Sequence, residues 1–474
     1  MTSQRWATFC AIAIIDLALP NVYPRFMSPN EYSRLWLTRA IVEYHSFRVD
    51  PYVGNSAPDT VSDVAYFGGH FYSDKAAGMS LLAVPPLAVL HWLAPKASIL
   101  TMLFVARFFT VTVPSLIVLW ILLKRCRSVL TLVGLYLGSV IFAQSLAFTG
   151  HVPMTIAICT AAILAVRAPA VAGLLAGAAI LIDFTSAIAA FGLLVMIAAQ
   201  TKSIRKILLF AICCAAMASV QLFVNAHCFG GPLDFAYHHE FNPADQANRA
   251  GALFGIGLPR LEAIWGLTFG RFGMFVHSPF LLLAIPAVFA RKRDPLRIWS
   301  LAMCVAYFDL NSTLADWEGG WTLGPRYLTL LYPLLAYLMV DWLEGKSLES
   351  LLVLGVTWAV LLHLAAMLTW SMPPHWKFLS FPALQLSSYL IFRGAFGPNV
   401  LVWIGVPVLV SLAVFVLLAL GAIVINGSKR SLLYVAAATL VFAIALSRAA
   451  PSEGSEAATE FERILTNMGY RGRT

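Results

Sequence analysis

From Gly394 to Ser428 the chain carries no charged side chain, and it holds many shorter runs of the same kind. Uncharged apolar segments of about 17–25 residues recur along the sequence, each long enough to cross a hydrocarbon core of roughly 30 Å. Lipid offers no partner for backbone N–H and C=O groups, so such crossings are expected to be helices. Of the 474 residues 60% are hydrophobic and the mean hydropathy is +0.79, whereas soluble chains run at roughly 45–50% apolar. The expected fold class is an all-α polytopic membrane protein.

The formal net charge is +9, which could suggest nucleic acid. The basic residues instead sit in short loops between apolar runs, where they act as topology determinants and give no nucleic-acid patch. With Arg5 holding the N-terminus in the cytoplasm, the basic loops KRCR (124–127), TKSIRK (201–206), RKRDPLR (291–297) and NGSKR (426–430) fall inside. About thirteen spans follow. The long polar segments fall outside: a first outer loop over 25–100, a second over 226–274 and a third over 313–326. The run 79–95, with Pro85 and Pro86, reads as a juxtamembrane or re-entrant helix. The run 170–199 reads as two short helices meeting near Asp183. Residues 1–447 form one membrane domain and 448–474 a short polar tail outside. The N-terminal apolar run lacks a small-residue cleavage site and reads as a retained first span. Seven cysteines show no metal-ligand spacing, and Cys228 alone is placed in a polar loop.

The first outer loop holds Glu31, Arg34, Glu43, Asp50, Asp59, Asp63, Asp74 and Lys75, threaded with Tyr32, Trp36, Tyr44, Tyr66, Phe67, Phe71 and Tyr72. A plain connector needs neither feature. Glu31 and Arg34 stand at i, i+3 and share a helix face, as an ion pair or as site residues. Gly68-Gly69 fits a tight turn between two aromatic arms. That turn delivers Asp74-Lys75 at headgroup level, where a lysine serves as an interfacial anchor or as a mobile phosphate contact. In D-W-E-G-G-W-T-L-G-P-R-Y, Trp317 and Trp321 suit an interfacial belt, and Arg326 enters a span from the outside. A guanidinium there can snorkel or pair bidentately with phosphate. The second loop carries His227, Asp234, Tyr237, His238, His239, Glu240, Asp245 and Arg249. Adjacent histidines point different ways on a helix or strand, so a metal site is not favoured. His151 and Asp183, at outer ends of spans, are structural groups or cavity-facing site residues.

The order of these elements resembles the GT-C class of membrane glycosyltransferases. It is most similar to the bacterial branch related to protein O-mannosyltransferases and lipid A aminoarabinose transferases. The likeness rests on Glu31 with Arg34 after the first span, on G-G-H-F-Y-S-D-K ending in Asp74-Lys75, on F-G-G-P-L, on G-M-F-V-H-S-P and on G-G-W-T-L-G-P-R-Y. It covers most of residues 21–330. Ala76 stands where proline is usual, and Gly150-His151 where relatives often carry an acidic residue.

The resemblance implies a GT-C-like bundle with juxtamembrane helices in the first outer loop. It implies transfer of a sugar from a polyprenyl-phosphate carrier to an acceptor hydroxyl on the outer face of a bacterial inner membrane. Glu31 is then the base, with inversion at C1. Lys75, Arg326 and Arg34 bind phosphate, while Asp63, Tyr72, Asp74, His151, Asp183, His238 and Trp317 contact sugar or acceptor. No cofactor is implied, a divalent metal is not favoured, and the protein is expected to act as a monomer. The acceptor class (glycolipid, polysaccharide or protein) stays open. A transporter or flippase of lipid-linked sugars is the main alternative. It is opposed by the one-sided charge distribution and by the lack of internal pseudo-symmetry.

Overall fold

The computed structural model describes residues 1–20, 23, 28–53, 63–243, 246–247, 256–289, 294–343, 347–452 and 454–467. Asp59, Asp245 and Arg249 lie outside the described residues, as do positions 291–293 of the basic loop. Among the described residues four helices are long and apolar enough to cross a membrane: Ile99–Arg125, Ile204–Phe229, Glu349–Leu368 and Ser431–Ala449. Seven shorter apolar helices of 10–17 residues accompany them. The protein is thus a helical membrane protein.

Chain order begins with α1 (Ser3–Ala18), then α2 (Pro29–Tyr44), the strands β1 (Val64–Phe67) and β2 (His70–Ser73), and α3 (Gly78–Leu93). The long helix α4 (Ile99–Arg125) carries a π-helical turn at Phe108–Thr112. Next come α5 (Val129–Leu137), α6 (His151–Leu164), α7 (Pro169–Ile182), α8 (Ser186–Thr201) and α9 (Ile204–Phe229). Cys228 therefore belongs to a helix end, buried, and not to a polar loop. The stretch after Gly273 is broken into short turns, because Pro279 and Pro286 each remove a backbone donor. Beyond it follow α10 (Pro295–Thr313), α11 (Leu331–Leu343), α12 (Glu349–Leu368), α13 (Pro382–Phe392), α14 (Val408–Val424) and α15 (Ser431–Ala449).

Small residues let the helices touch where lipid supplies no hydrophobic drive. On α7, Gly173 and Gly177 lie one turn apart, and a Cβ at either would stand 2.3 Å from a backbone oxygen of α9, Phe210 O and Cys214 O respectively. On the α5 side a Cβ at Gly138 would stand 2.9 Å from the Cβ of Ala359 on α12. Arg5 fastens the opposite end of the bundle, donating to the carbonyls of Leu123, Lys124 and Cys126 that close α4.

The tail, expected to be short and polar, forms an amphipathic helix, α16 (Glu456–Asn467). It buries Ala457, Ala458, Phe461, Ile464 and Leu465 against Trp370, Leu379, Tyr389 and Tyr23. Its apolar residues repeat at helical spacing, and that face needs a partner.

Candidate functional site

Three helix ends meet beneath the hairpin that precedes α3. A Cβ on Gly78, at the start of α3, would collide with Leu181 O at 2.6 Å. One on Gly150, before α6, would meet Ile182 at 2.9 Å. The start of α3, the start of α6 and the end of α7 therefore share one spot. Above it stands the expected hairpin, β1 and β2 paired antiparallel from Val64↔Ser73 to Phe67↔His70. Gly68 and Gly69 take φ of +58° and +86°, the left-handed pair that a two-residue turn requires. Phe241 N donates to Val64 O at 2.9 Å, so the second loop covers the hairpin edge.

The hairpin delivers Lys75 between two carboxylates, 3.0 Å from Asp63 Oδ2 and 2.5 Å from Asp74 Oδ2. Asp74 is buried and also accepts from Ser33 Oγ of α2 at 3.1 Å. Next to Ser33 on α2, Arg34 is buried and donates to Asn30 O at 2.9 Å and to Asn30 Oδ1. Its Nε–H meets no protein acceptor. Burial lowers the pKa of Arg34, opposed by Asp74, Tyr237, Asp183 and Asp63 around it. For Asp63 burial alone would raise the carboxyl, but Lys75, Arg326 and Arg34 outweigh it and hold it below the ordinary carboxylate range.

The third loop reaches the same place. Gly319 and Gly320 adopt φ of +74° and +68° and fold the backbone over Arg326. A Cβ at Gly319 would lie 3.4 Å from Arg326 Nε, which is buried and has no protein acceptor. Tyr327 sets its ring 5.8 Å from that of His151. His151 Nδ1 stands 3.6 Å from Asp183 Oδ2. Asp183 occupies the break between α7 and α8, where its Oδ1 accepts from the N–H and hydroxyl of Thr185 at 3.0 and 2.7 Å. Lys75, Arg34, Arg326, Asp63, Asp74, His151 and Asp183 thus form one cluster. Tyr72 sits at its edge, its ring 5.4 Å from Phe229, beside a small cavity that Lys75 also lines.

Other expected residues take partners outside this cluster. Glu31 is buried, and Arg107 of α4 grips both its oxygens, Nε to Oε1 at 2.8 Å and Nη2 to Oε2 at 2.6 Å. Phe148 N–H donates to Oε1 as well, and Arg107 Nη1 reaches Pro20 O at 3.2 Å. The i, i+3 partner Arg34 turns to Asn30, so no Glu31–Arg34 pair forms. Trp317 is buried with its indole against Gly266, where a Cβ would come within 2.1 Å of the ring. His238 and His239 do not diverge as expected. A 3₁₀ turn at Ala236–His239 brings His238 Nδ1 and His239 Nε2 each to 3.0 Å from Asp234 Oδ1. Burial tends to raise Asp234, and hydrogen bonds from His238 and His239 bring it below its ordinary value. Among the described residues no group of three or more His, Cys, Asp or Glu side chains is placed to hold a metal ion.

Sequence reasoning missed Arg107. The signal was available as an arginine inside an apolar run, which lipid tolerates only when it is paired. No family model, curated protein or solved structure matches the chain.

Proposed function

We propose that the protein is a membrane glycosyltransferase that moves a sugar from a polyprenyl-phosphate carrier to an acceptor hydroxyl, with inversion at C1. One observation carries the reading: the Nε–H groups of Arg34 and Arg326 are buried without acceptors, in the cluster that also holds Lys75. A buried donor left unmade costs about 1–3 kcal/mol, more when charged. Guanidinium groups with spare donors suit a phosphoryl oxygen. Arg34, Lys75 and Arg326 are balanced by Asp63, Asp74 and Asp183. Such a neutral site suits a monoanionic phosphodiester, the charge of a polyprenyl-phosphate sugar, over the dianion released after transfer.

In the proposed reaction the acceptor oxygen attacks C1 while the bond from C1 to the phosphate oxygen breaks. The leaving phosphate gains charge against Arg34, Lys75 and Arg326. The acceptor proton goes to Asp183 in preference to Glu31. Glu31 has both oxygens committed to Arg107, and Asp74 is shared by Lys75 and Ser33. Among the described residues, Asp183 Oδ2 has only the long approach of His151 and keeps a lone pair for a proton.

The test incubates the purified full-length protein with radiolabelled polyprenyl-phosphate sugars and alcohol acceptors. Wild type is expected to retain the donor lipid and form product, and Arg34→Ala and Arg326→Ala to lose the lipid. Equal retention by all three removes the phosphate site. Retention without product under every acceptor supports the transporter alternative.

A further inference from the structure

Beside Arg326 the chain builds an aromatic corner that the transfer chemistry does not use. Trp321 follows Gly320, whose Cβ position lies 3.7 Å from Arg326 Nη2. The indole of Trp321 stands edge-on to Trp376, centroids 5.7 Å apart at 81°. Phe378 stacks on Trp376 at 5.6 Å and 22°. One wall is thus upright and the other is a broad platform. Trp321 and Trp376 are half-buried, and Phe378 is 41% exposed.

The corner is held rigidly. Thr322 N donates to Pro373 O at 3.2 Å, joining the two segments. Arg271 donates to Trp376 O at 3.0 Å and pairs with Glu318 of the third loop. Phe461 of α16 packs on Trp376, centroids 6.2 Å apart. Two polar atoms on the residues adjoining Trp321 and Trp376 in the chain have no protein partner. Thr322 Oγ1 belongs to a side chain only 2% exposed, and His375 Nδ1 is likewise buried.

We propose that this corner is a saccharide-binding subsite, which presents the sugar unit of an acceptor to the centre at Arg326. A pyranose has apolar C–H faces and a rim of hydroxyls. The faces suit the Trp376–Phe378 platform and the Trp321 wall, and the hydroxyls suit Thr322 Oγ1 and His375 Nδ1. A membrane-anchoring belt also uses tryptophans, but it has no need of buried polar atoms lacking partners on the adjoining residues. As a place for an acceptor the subsite rests on the transferase reading, whereas saccharide binding stands without it.

The test is saturation-transfer NMR on the full-length protein in micelles of a sugar-free detergent. The probes are the methyl glycosides of mannose, galactose, glucose and N-acetylglucosamine. At least one is expected to receive saturation on its ring protons from wild type. Trp376→Ala, Phe378→Ala and Thr322→Val should each weaken its binding by roughly threefold to tenfold. Phe378 is the control for unpacking, because its exposed ring can be removed without opening the core. No binding by wild type, or equal binding by all the variants, overturns the subsite, as does a loss that appears only as weaker partition into lipid vesicles. Binding without any transfer removes the transferase reading and leaves the subsite standing.

Discussion

Glu31 and Arg34 lie three residues apart on α2, and their surroundings differ in kind. Glu31 meets a guanidinium that satisfies both its oxygens, plus a backbone N–H, in an interior closed to solvent. Arg34 meets Asn30 and retains an Nε–H with no acceptor. The first environment is complete as it stands and ties α2 to α4. The second, with Lys75 and Arg326, has bonding capacity to spare. The buried charge with filled hydrogen bonds serves the architecture, and the one with bonds to spare stands where the proposed phosphate would bind.

The largest expected effect tests the filled side. Arg107→Ala leaves Glu31 buried without its cation, and breaking such a pair from one side costs about 3–5 kcal/mol. Unfolding of the purified variant in detergent should show that loss, and Glu31→Gln a smaller one. The double change Glu31→Gln with Arg107→Met should recover part of it, since neither charge is then orphaned. If Glu31→Gln instead keeps full stability and abolishes transfer, the comparison fails and Glu31 returns as the base.

Asp183→Asn probes the unfilled side. A positioned general base contributes on the order of a hundredfold or more. Single-turnover transfer should fall by about that factor, with the unfolding midpoint and donor retention close to wild type. The Thr185 contacts, which hold Oδ1, survive the change to an amide. A variant that unfolds early would assign Asp183 to the helix break alone.

Much of this arrangement is legible in the sequence. The hairpin at Gly68-Gly69 follows from turn chemistry, and the meeting of two short helices at Asp183 from a polar residue in an over-long apolar run. Lys75, Arg34 and Arg326 stand out in the sequence, and the fold brings all three around Asp63. The partners were hidden, because pairing across the bundle depends on which helix faces lie together. Arg107 is separated from Glu31 by 76 positions, and no local spacing links them. Trp317 could not be told from Trp321 by composition, yet one is swallowed by a glycine cleft and the other forms the aromatic corner. The docking of α16 depends on an apolar stripe visible in the sequence, whose receiving surface is assembled from 370–392 and Tyr23.

Gly319→Ala should have a moderate effect. The new methyl lies 3.4 Å from Arg326 Nε and 3.2 Å from the Tyr327 ring, on a backbone at φ +74°. A side chain at such a φ costs roughly 1–2 kcal/mol, which the loop relieves by moving off Arg326. Donor affinity should drop by roughly tenfold in a lipid-retention assay, while the Glu31–Arg107 region stays intact. Unchanged affinity would separate the loop from the phosphate contact.

The smallest expected effect is a titration. Asp63 has a depressed pKa in the folded protein, so the stability it lends through Lys75 is present above its unfolded value, ordinarily near 3.8. That contribution is lost progressively as the pH falls from that value through the lower folded one. Carbon-13 NMR of labelled aspartate should therefore find the Asp63 midpoint below 3.8. With Lys75→Met the strongest opponent of desolvation is gone, and the midpoint should move up. Donor lipid at saturation should also move it up, because a phosphate beside Lys75 and Arg326 draws their charge away from Asp63. A midpoint indifferent to lipid would place the bound phosphate away from these cations, and the spare donors of Arg34 and Arg326 would need another explanation.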